Sequence, residues 1–197
     1  MQNILKKQIG KMMLKKENNL LMLLLIGSEA IFFISLIMGY VYFWRTGNYQ
    51  SVVKSMLDIK LTGLFSILLF TSSFTFWMAE RQYKKGEQKK LKMWLLATIV
   101  LGTVFMLGQG HEYYSLLSKN LTLSSSEFGT SFYTLTGFHG LHVLIGIVML
   151  IILFILTLQN FFTTKSTVLS TIGIYWHFVD AVWLVVFTIV YVIPYLT

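Results

Sequence analysis

The sequence predicts an all-α polytopic membrane protein: a bundle of five transmembrane helices with the N-terminus cytoplasmic and the C-terminus outside. Three observations carry that expectation. Of 197 residues, 55% are hydrophobic and only 12% charged, about half the charge a soluble domain carries. The apolar residues gather into five blocks, each long enough at ~1.5 Å per residue to cross a hydrocarbon core of about 30 Å. The basic residues fall mostly on alternate connections between those blocks.

Taken in order, residues 1–19 form a basic tail with Lys6, Lys7, Lys11, Lys15 and Lys16, expected on the cytoplasmic side. The first span covers 20–43. Its start, with lysines ahead of Leu20 to Gly27 and then Ser28-Glu29-Ala30, imitates a cleaved signal peptide. The apolar run continues from Ile31 to Phe43, well past the apolar region of such a signal, so an uncleaved span is expected. The second span covers 59–79, and a connection bearing Arg81, Lys84, Lys85, Lys89, Lys90 and Lys92 leads to the third, 93–117. The fourth and fifth, 130–158 and 168–195, are long enough to tilt or protrude. The connections are too short for a soluble domain and no repeat is visible, so residues 1–197 form one membrane domain. Of the 16 basic residues, only Arg45, Lys54, Lys60 and Lys119 fall on the side opposite the tail. Positive charge stays on the cytoplasmic face, which sets the orientation.

Composition also excludes chemistry. There is no cysteine, hence no disulfide framework, thiolate zinc site, iron-sulfur cluster or thioether-linked haem. The formal net charge of +8 reads as topology and contact with anionic headgroups, not as nucleic-acid binding.

The informative residues are the polar ones left inside apolar blocks. Glu29 lies nine residues into the first span, where a charge costs at least ~2.5 kcal/mol on insertion scales. It is therefore expected to be protonated, hydrogen-bonded or turned toward other helices. His139 and His142 in the fourth span, and His177 and Asp180 in the fifth, are each spaced i,i+3 and share a helical face. Counting rise from the span ends places Glu29, His142 and His177 at about one depth, so Glu29 is expected to meet a histidine of the last two helices. Gln109-Gly110-His111-Glu112-Tyr113-Tyr114 closes the third span near the interface, where water is expected to solvate part of the cluster. Tyr40, Tyr42, Trp44, Trp77, Trp94, Tyr113, Tyr114, Tyr191 and Tyr195 read as interfacial anchors. Gly108, Gly110, Gly137, Gly140, Gly146 and Gly173 leave room for close backbone approach or for a lipid chain.

Three classes fit such residues. In a haem- or metal-bearing electron carrier, His111, His139, His142 and His177 would be ligands. Two histidines three apart on one helix, with only one at matching depth elsewhere, supply bis-histidine ligation poorly. In a packing and lipid-binding subunit the same groups bond between helices. A transporter could use Glu29 as a proton relay, but paired broken helices and inverted halves are absent.

Resemblance separates these classes. Thr136-Gly137-Phe138-His139-Gly140-Leu141-His142-Val143 with Ile145-Gly146, followed by Tyr175-Trp176-His177-Phe178-Val179-Asp180-Ala181-Val182-Trp183, resembles the two signature helices of subunit III of the haem-copper terminal oxidases. Ser28-Glu29-Ala30-Ile31-Phe32-Phe33 is similar to that family's helix with a buried carbodiimide-reactive glutamate, and Gln109-Gly110-His111-Glu112-Tyr113 to its glutamine-to-Glu-Tyr stretch. The chain resembles the five-span bacterial form, which lacks the first two of seven spans.

The resemblance implies an accessory, non-catalytic chain of the bacterial cytoplasmic membrane. It would hold no metal or cofactor, since the haems and copper reside in subunits I and II. It would pack beside subunit I, bind structural phospholipid and support proton uptake by a complex reducing dioxygen to water. Electrons would come from cytochrome c or, alternatively, from a quinol. Glu29, Glu112, His139, His142, His177 and Asp180 would be buried structural positions. Lys84, Lys85, Lys89 and Lys90 are candidates for holding lipid headgroups or gathering protons at the cytoplasmic mouth. His111 has no counterpart role.

Overall fold

The computed structural model describes residues 2–47, 50–124, 126–159 and 168–196, with side chains from 20 onward except 50–52. Helix α1 spans Gln2–Thr46, α2 Gln50–Met56, α3 Ile59–Lys84, α4 Gln88–Ser118, α5 Glu127–Leu158 and α6 Val168–Phe187. The last continues through a π turn, Thr188–Val192, into α7, Ile193–Leu196. The described residues contain no strand, and five helical stretches are long and apolar enough to cross a membrane. The all-α, five-span expectation is met.

Each helix outruns its apolar block, because backbone hydrogen bonding continues through the polar interface until a cap or turn ends it. The second span extends to Lys84, the third begins at Gln88 and the fourth at Glu127. The backbone of the basic tail from Gln2 is helical and continuous with the first span. Asp58 starts α3 by accepting from the amides of Lys60 and Leu61, and Ser126 starts α5 by accepting from Gly129 N–H. Both are ordinary N-caps. Gly86, at φ 77°, makes the turn from α3 to α4, a conformation glycine adopts without strain. Helix α2 was not visible as a pattern. Its buried Val53 and neighbouring Leu57 pack inward, but seven residues are too few for a period to stand out.

In the bundle α3 and α4 pack most extensively, α5 and α6 close on them, and α1 lies at the edge against α5 and α6. Two tryptophans of α6 form the centre. Trp176 and Trp183 are fully buried, and their indole N–H groups donate to Ser72 Oγ at 3.1 Å and Ser66 Oγ at 2.8 Å on α3. Glycines make room for rings. A Cβ at Gly146 would lie 2.8 Å from the Trp176 ring, one at Gly102 2.9 Å from its far edge, and one at Gly108 would collide with the Phe65 ring. Gly173 likewise admits Phe76. By contrast, Gly110, Gly137 and Gly140 face no close neighbour: nothing lies nearer than 3.7 Å to a Cβ at any of them.

The π turn has an identifiable cause. Pro194 has no N–H and its ring would collide with the carbonyl one turn back, so the helix widens; Ile193 N–H donates to Thr188 O, five residues earlier.

Candidate functional site

Three hydrogen-bonded clusters, each assembled from two or three helices, hold the carboxylates of Glu29, Asp180 and Glu112, and one buried histidine stands apart from them.

The first joins α1 to α5. Glu29 Oε2 lies 3.0 Å from His142 Nε2. The other ring nitrogen, Nδ1, is 2.7 Å from the carbonyl of Phe138. A carbonyl only accepts, so Nδ1 carries a proton, and the Nε2···Oε2 contact holds a single proton between a base and a carboxyl. The pair is neutral overall whichever partner keeps that proton. This suits a site whose side chains are 12% and 31% exposed in the bundle. Tyr175 of α6 ties in by donating its hydroxyl to His142 O at 3.1 Å. Glu29 meets a histidine as expected, and that histidine is His142. His177 points instead to α3.

The second cluster joins α3 to α6. Ser73 Oγ donates to Asp180 Oδ2 and accepts from His177 Nδ1 at 2.9 Å. His177 and Asp180 thus share a face and a partner, as their spacing implies. Asp180 is buried, and its Oδ1 has no hydrogen-bond partner.

The third joins α3, α4 and the π turn. Glu112 accepts from Thr62 Oγ1 at 3.0 Å and from Tyr191 OH at 2.8 Å. Glu112 is buried, as the resemblance implies, and so is Gln109, whereas His111 and Tyr114 of the same stretch are exposed. Helix geometry explains the difference, since α4 turns His111 and Tyr114 outward and Gln109 and Glu112 inward. Tyr40 and Tyr191 are corrected from interfacial anchors to core residues. Tyr42, Trp77, Tyr114 and Tyr195 remain exposed, as anchors require.

His139 stands apart. It is fully buried, stacks on Trp183 at 4.7 Å and meets the edges of Phe105 and Phe33; neither ring nitrogen has a hydrogen-bond partner. His139 and His142 share a face as expected, both rings packing on Phe33 of α1; the ~60° between residues three apart on a helix turns His139 on toward Phe105 and Trp183.

Lys84, Lys85, Lys89 and Lys90 cluster at the α3–α4 turn and are exposed, with Lys90 3.8 Å from Glu87. Among the described residues no three His, Asp or Glu side chains converge to hold a metal ion. The sequence reading missed the partners Thr62, Ser66, Ser72, Ser73, Tyr175 and Tyr191. One signal was present: hydroxyl residues 62, 66 and 73 recur at helical spacing on one face of an otherwise apolar span.

A family model described as cytochrome c oxidase subunit III matches residues 7–195. A probable cytochrome c oxidase subunit 3 of Mycobacterium leprae is 36% identical over 169 residues, covering 85% of this chain and 84% of the relative. The cytochrome c oxidase subunit 3 of Bacillus subtilis is 32% identical over 172 residues, 85% and 82% of the two chains. That of Synechocystis is 31% identical over 175 residues, 84% and 71%.

Proposed function

The chain belongs to the cytochrome c oxidase subunit III family, and from that premise we propose that it is the accessory, cofactor-free subunit of a proton-pumping haem-copper terminal oxidase. The haems and copper reside in subunits I and II, cytochrome c is the donor, and the complex reduces dioxygen to water in the bacterial cytoplasmic membrane. The family match along nearly the whole chain carries this reading. The way the polar groups are used supports it. The ring nitrogens facing Glu29 and Ser73 are engaged within the bundle, and the His139 ring is walled by Trp183, Phe105 and Phe33, leaving no open face for a macrocycle.

The role of such a chain is mechanical and electrostatic. The interhelical pairs lock spans whose lipid-facing surfaces offer no hydrophobic drive to associate. With the N-terminus inside, the exposed lysines of the α3–α4 turn lie at the cytoplasmic mouth. There they attract anionic headgroups and shape the potential from which protons are drawn. Glu29, Glu112, His139, His142, His177 and Asp180 serve structure.

Purification of the assembly through a tag on this chain tests the reading. The expected result is haem absorbance and copper in the assembly and neither in the lone chain. Haem retained by the lone chain, or an assembly without oxygen-reducing activity, would overturn it.

A further inference from the structure

The aromatic core of the bundle is continuous. Trp183 lies 6.4 Å from Tyr191, ring centre to ring centre, and Tyr191 is 6.4 Å from Phe132. Phe132 in turn meets Tyr133 at 5.4 Å and Tyr113 at 6.4 Å, and those two tyrosines meet each other at 5.0 Å. Trp183, Tyr191, Tyr113 and Tyr133 are thus oxidisable rings in one connected set. Packing is the ordinary use of such rings; what sets one of them apart is where its proton goes.

Trp183 donates to Ser66 Oγ, which itself donates to the carbonyl of Thr62. Tyr133 donates to the carbonyl of Leu121. Tyr113 OH is 2.7 Å from Thr136 Oγ1, whose own hydrogen goes to Phe132 O. Hydroxyls and carbonyls accept a hydrogen bond but do not keep the proton. Tyr191 differs from these three in donating to a carboxylate, Glu112 Oε2 at 2.8 Å, within the ~2.6–3.2 Å over which a proton passes directly. Thr62 Oγ1 donates to the other oxygen at 3.0 Å, so both oxygens of Glu112 serve as acceptors, as in an ionised carboxylate. Pro194 imposes the π turn on which Tyr191 lies, a feature frequent at functional sites.

Burial decides which ring yields an electron. Tyr191 is 0% and Glu112 7% exposed. An electron lost from Trp183 leaves an indole cation in surroundings that penalise charge. An electron lost from Tyr191, with its proton passing to Glu112, leaves a neutral phenoxyl and a neutral carboxylic acid. A site that held one buried negative charge then holds none, so the low dielectric favours oxidation here over the neighbouring rings.

We propose that Tyr191 and Glu112 form a proton-coupled redox pair that collects an oxidising equivalent from the aromatic core. The Tyr191 O–H bond breaks, its proton bonds to Glu112 Oε2, and one electron leaves through the connected rings to an oxygen-derived radical, which is reduced to its anion, as hydroxyl radical is to hydroxide. Radicals of that class are released by incomplete reduction of dioxygen. The proposal therefore rests on the oxidase reading above for its oxidant, and on this chain alone for the pair. The consequence is protective: the vacancy settles on a ring without solvent contact, and one returning electron draws the proton back.

The test oxidises the full chain in detergent micelles with flash-generated ruthenium(III) tris-bipyridine, freezes it and reads it by electron paramagnetic resonance. The expected result is a neutral tyrosyl signal that survives a water-soluble gadolinium chelate, while signals from the exposed Tyr42, Tyr114 and Tyr195 broaden away. Tyr191→Phe removes the protected signal. Glu112→Gln keeps an acceptor for the phenol but no base, and slows formation of the signal by about a hundredfold or more; unchanged circular dichroism checks both folds. A protected tyrosyl signal that persists in Tyr191→Phe, or forms as fast in Glu112→Gln, overturns the proposal. So does a wild-type chain whose whole tyrosyl signal is broadened by the chelate, a result that needs no variant. None of these outcomes depends on whether haem and copper co-purify with the chain, so failure here is distinct from failure of the accessory reading.

Discussion

Gly146→Ala and Gly140→Ala are the same chemical change on the same helix, about 1.7 turns apart, yet the structure assigns them different consequences. At Gly140 the nearest atom to a new Cβ is Met106 Cε at 3.9 Å, an ordinary contact. At Gly146 two ring atoms of Trp176 lie at 2.8 Å. The indole has nowhere to retreat. Trp176 is fully buried, its N–H is held by Ser72 Oγ at 3.1 Å, and its far edge is already 2.9 Å from where a Cβ on Gly102 would sit. Overpacking of this kind costs ~1–3 kcal/mol, whereas the helix-propensity gain of ~1 kcal/mol for alanine over glycine applies to both variants and cancels between them. Gly146→Ala is therefore expected to be ~1–3 kcal/mol less stable than Gly140→Ala, measured by reversible unfolding in mixed micelles followed by circular dichroism. Trp176→Phe, which shortens the ring system, should recover part of that difference as a coupling energy of opposite sign. Equal stability of the two alanine variants would refute the claim that Trp176 is clamped between α4 and α5.

Three further outcomes follow from the polar clusters and the basic turn. Glu29→Gln keeps a donor for His142 Nε2 and should lose less stability than Glu29→Ala, which leaves that nitrogen unpaired at ~1–3 kcal/mol; equal losses would argue against the pairing seen at 3.0 Å. Glu112→Ala strands the hydroxyls of both Thr62 and Tyr191, so it should destabilise more than Tyr191→Phe, with non-additive losses in the double variant; additive losses would place the two groups in separate environments. Neutralising Lys84, Lys85, Lys89 and Lys90 together should slow turnover of the assembled oxidase at alkaline pH, where protons are scarce, and an unchanged pH–rate profile would remove the proton-supply role.

How much of the site was legible depended on whether a residue's neighbours lie on its own helix or on another. The i,i+3 spacing of His177 and Asp180 correctly joined them, because one helical face governs both and Ser73 answers to that face. The same spacing joined His139 and His142, whose rings both pack on Phe33 of α1, but it did not give their partners: only His142 reaches Glu29, while His139 stacks on Trp183. Glu29 could be matched to a histidine by depth alone, yet depth does not separate His142 from His177; only the packing of α1 on α5 does. Glu112 sits at a depth where water is near, and its burial comes from Tyr191, which the π turn ahead of Pro194 brings across from another helix.

The amino-acid order by itself determined that this chain is five apolar helices, because crossing a bilayer demands internally satisfied backbone over about 20 residues and leaves no other folded form for such blocks. It also determined which few side chains had to find polar partners, since charges and amides are conspicuous against hydrocarbon. Tertiary structure alone decided who those partners are and which glycines admit a ring and which leave space beside them. Those outcomes depend on the rotation of each helix about its axis, and that is set by contacts between segments as far apart as Glu29 and His142, whose separation of 113 residues no local pattern spans.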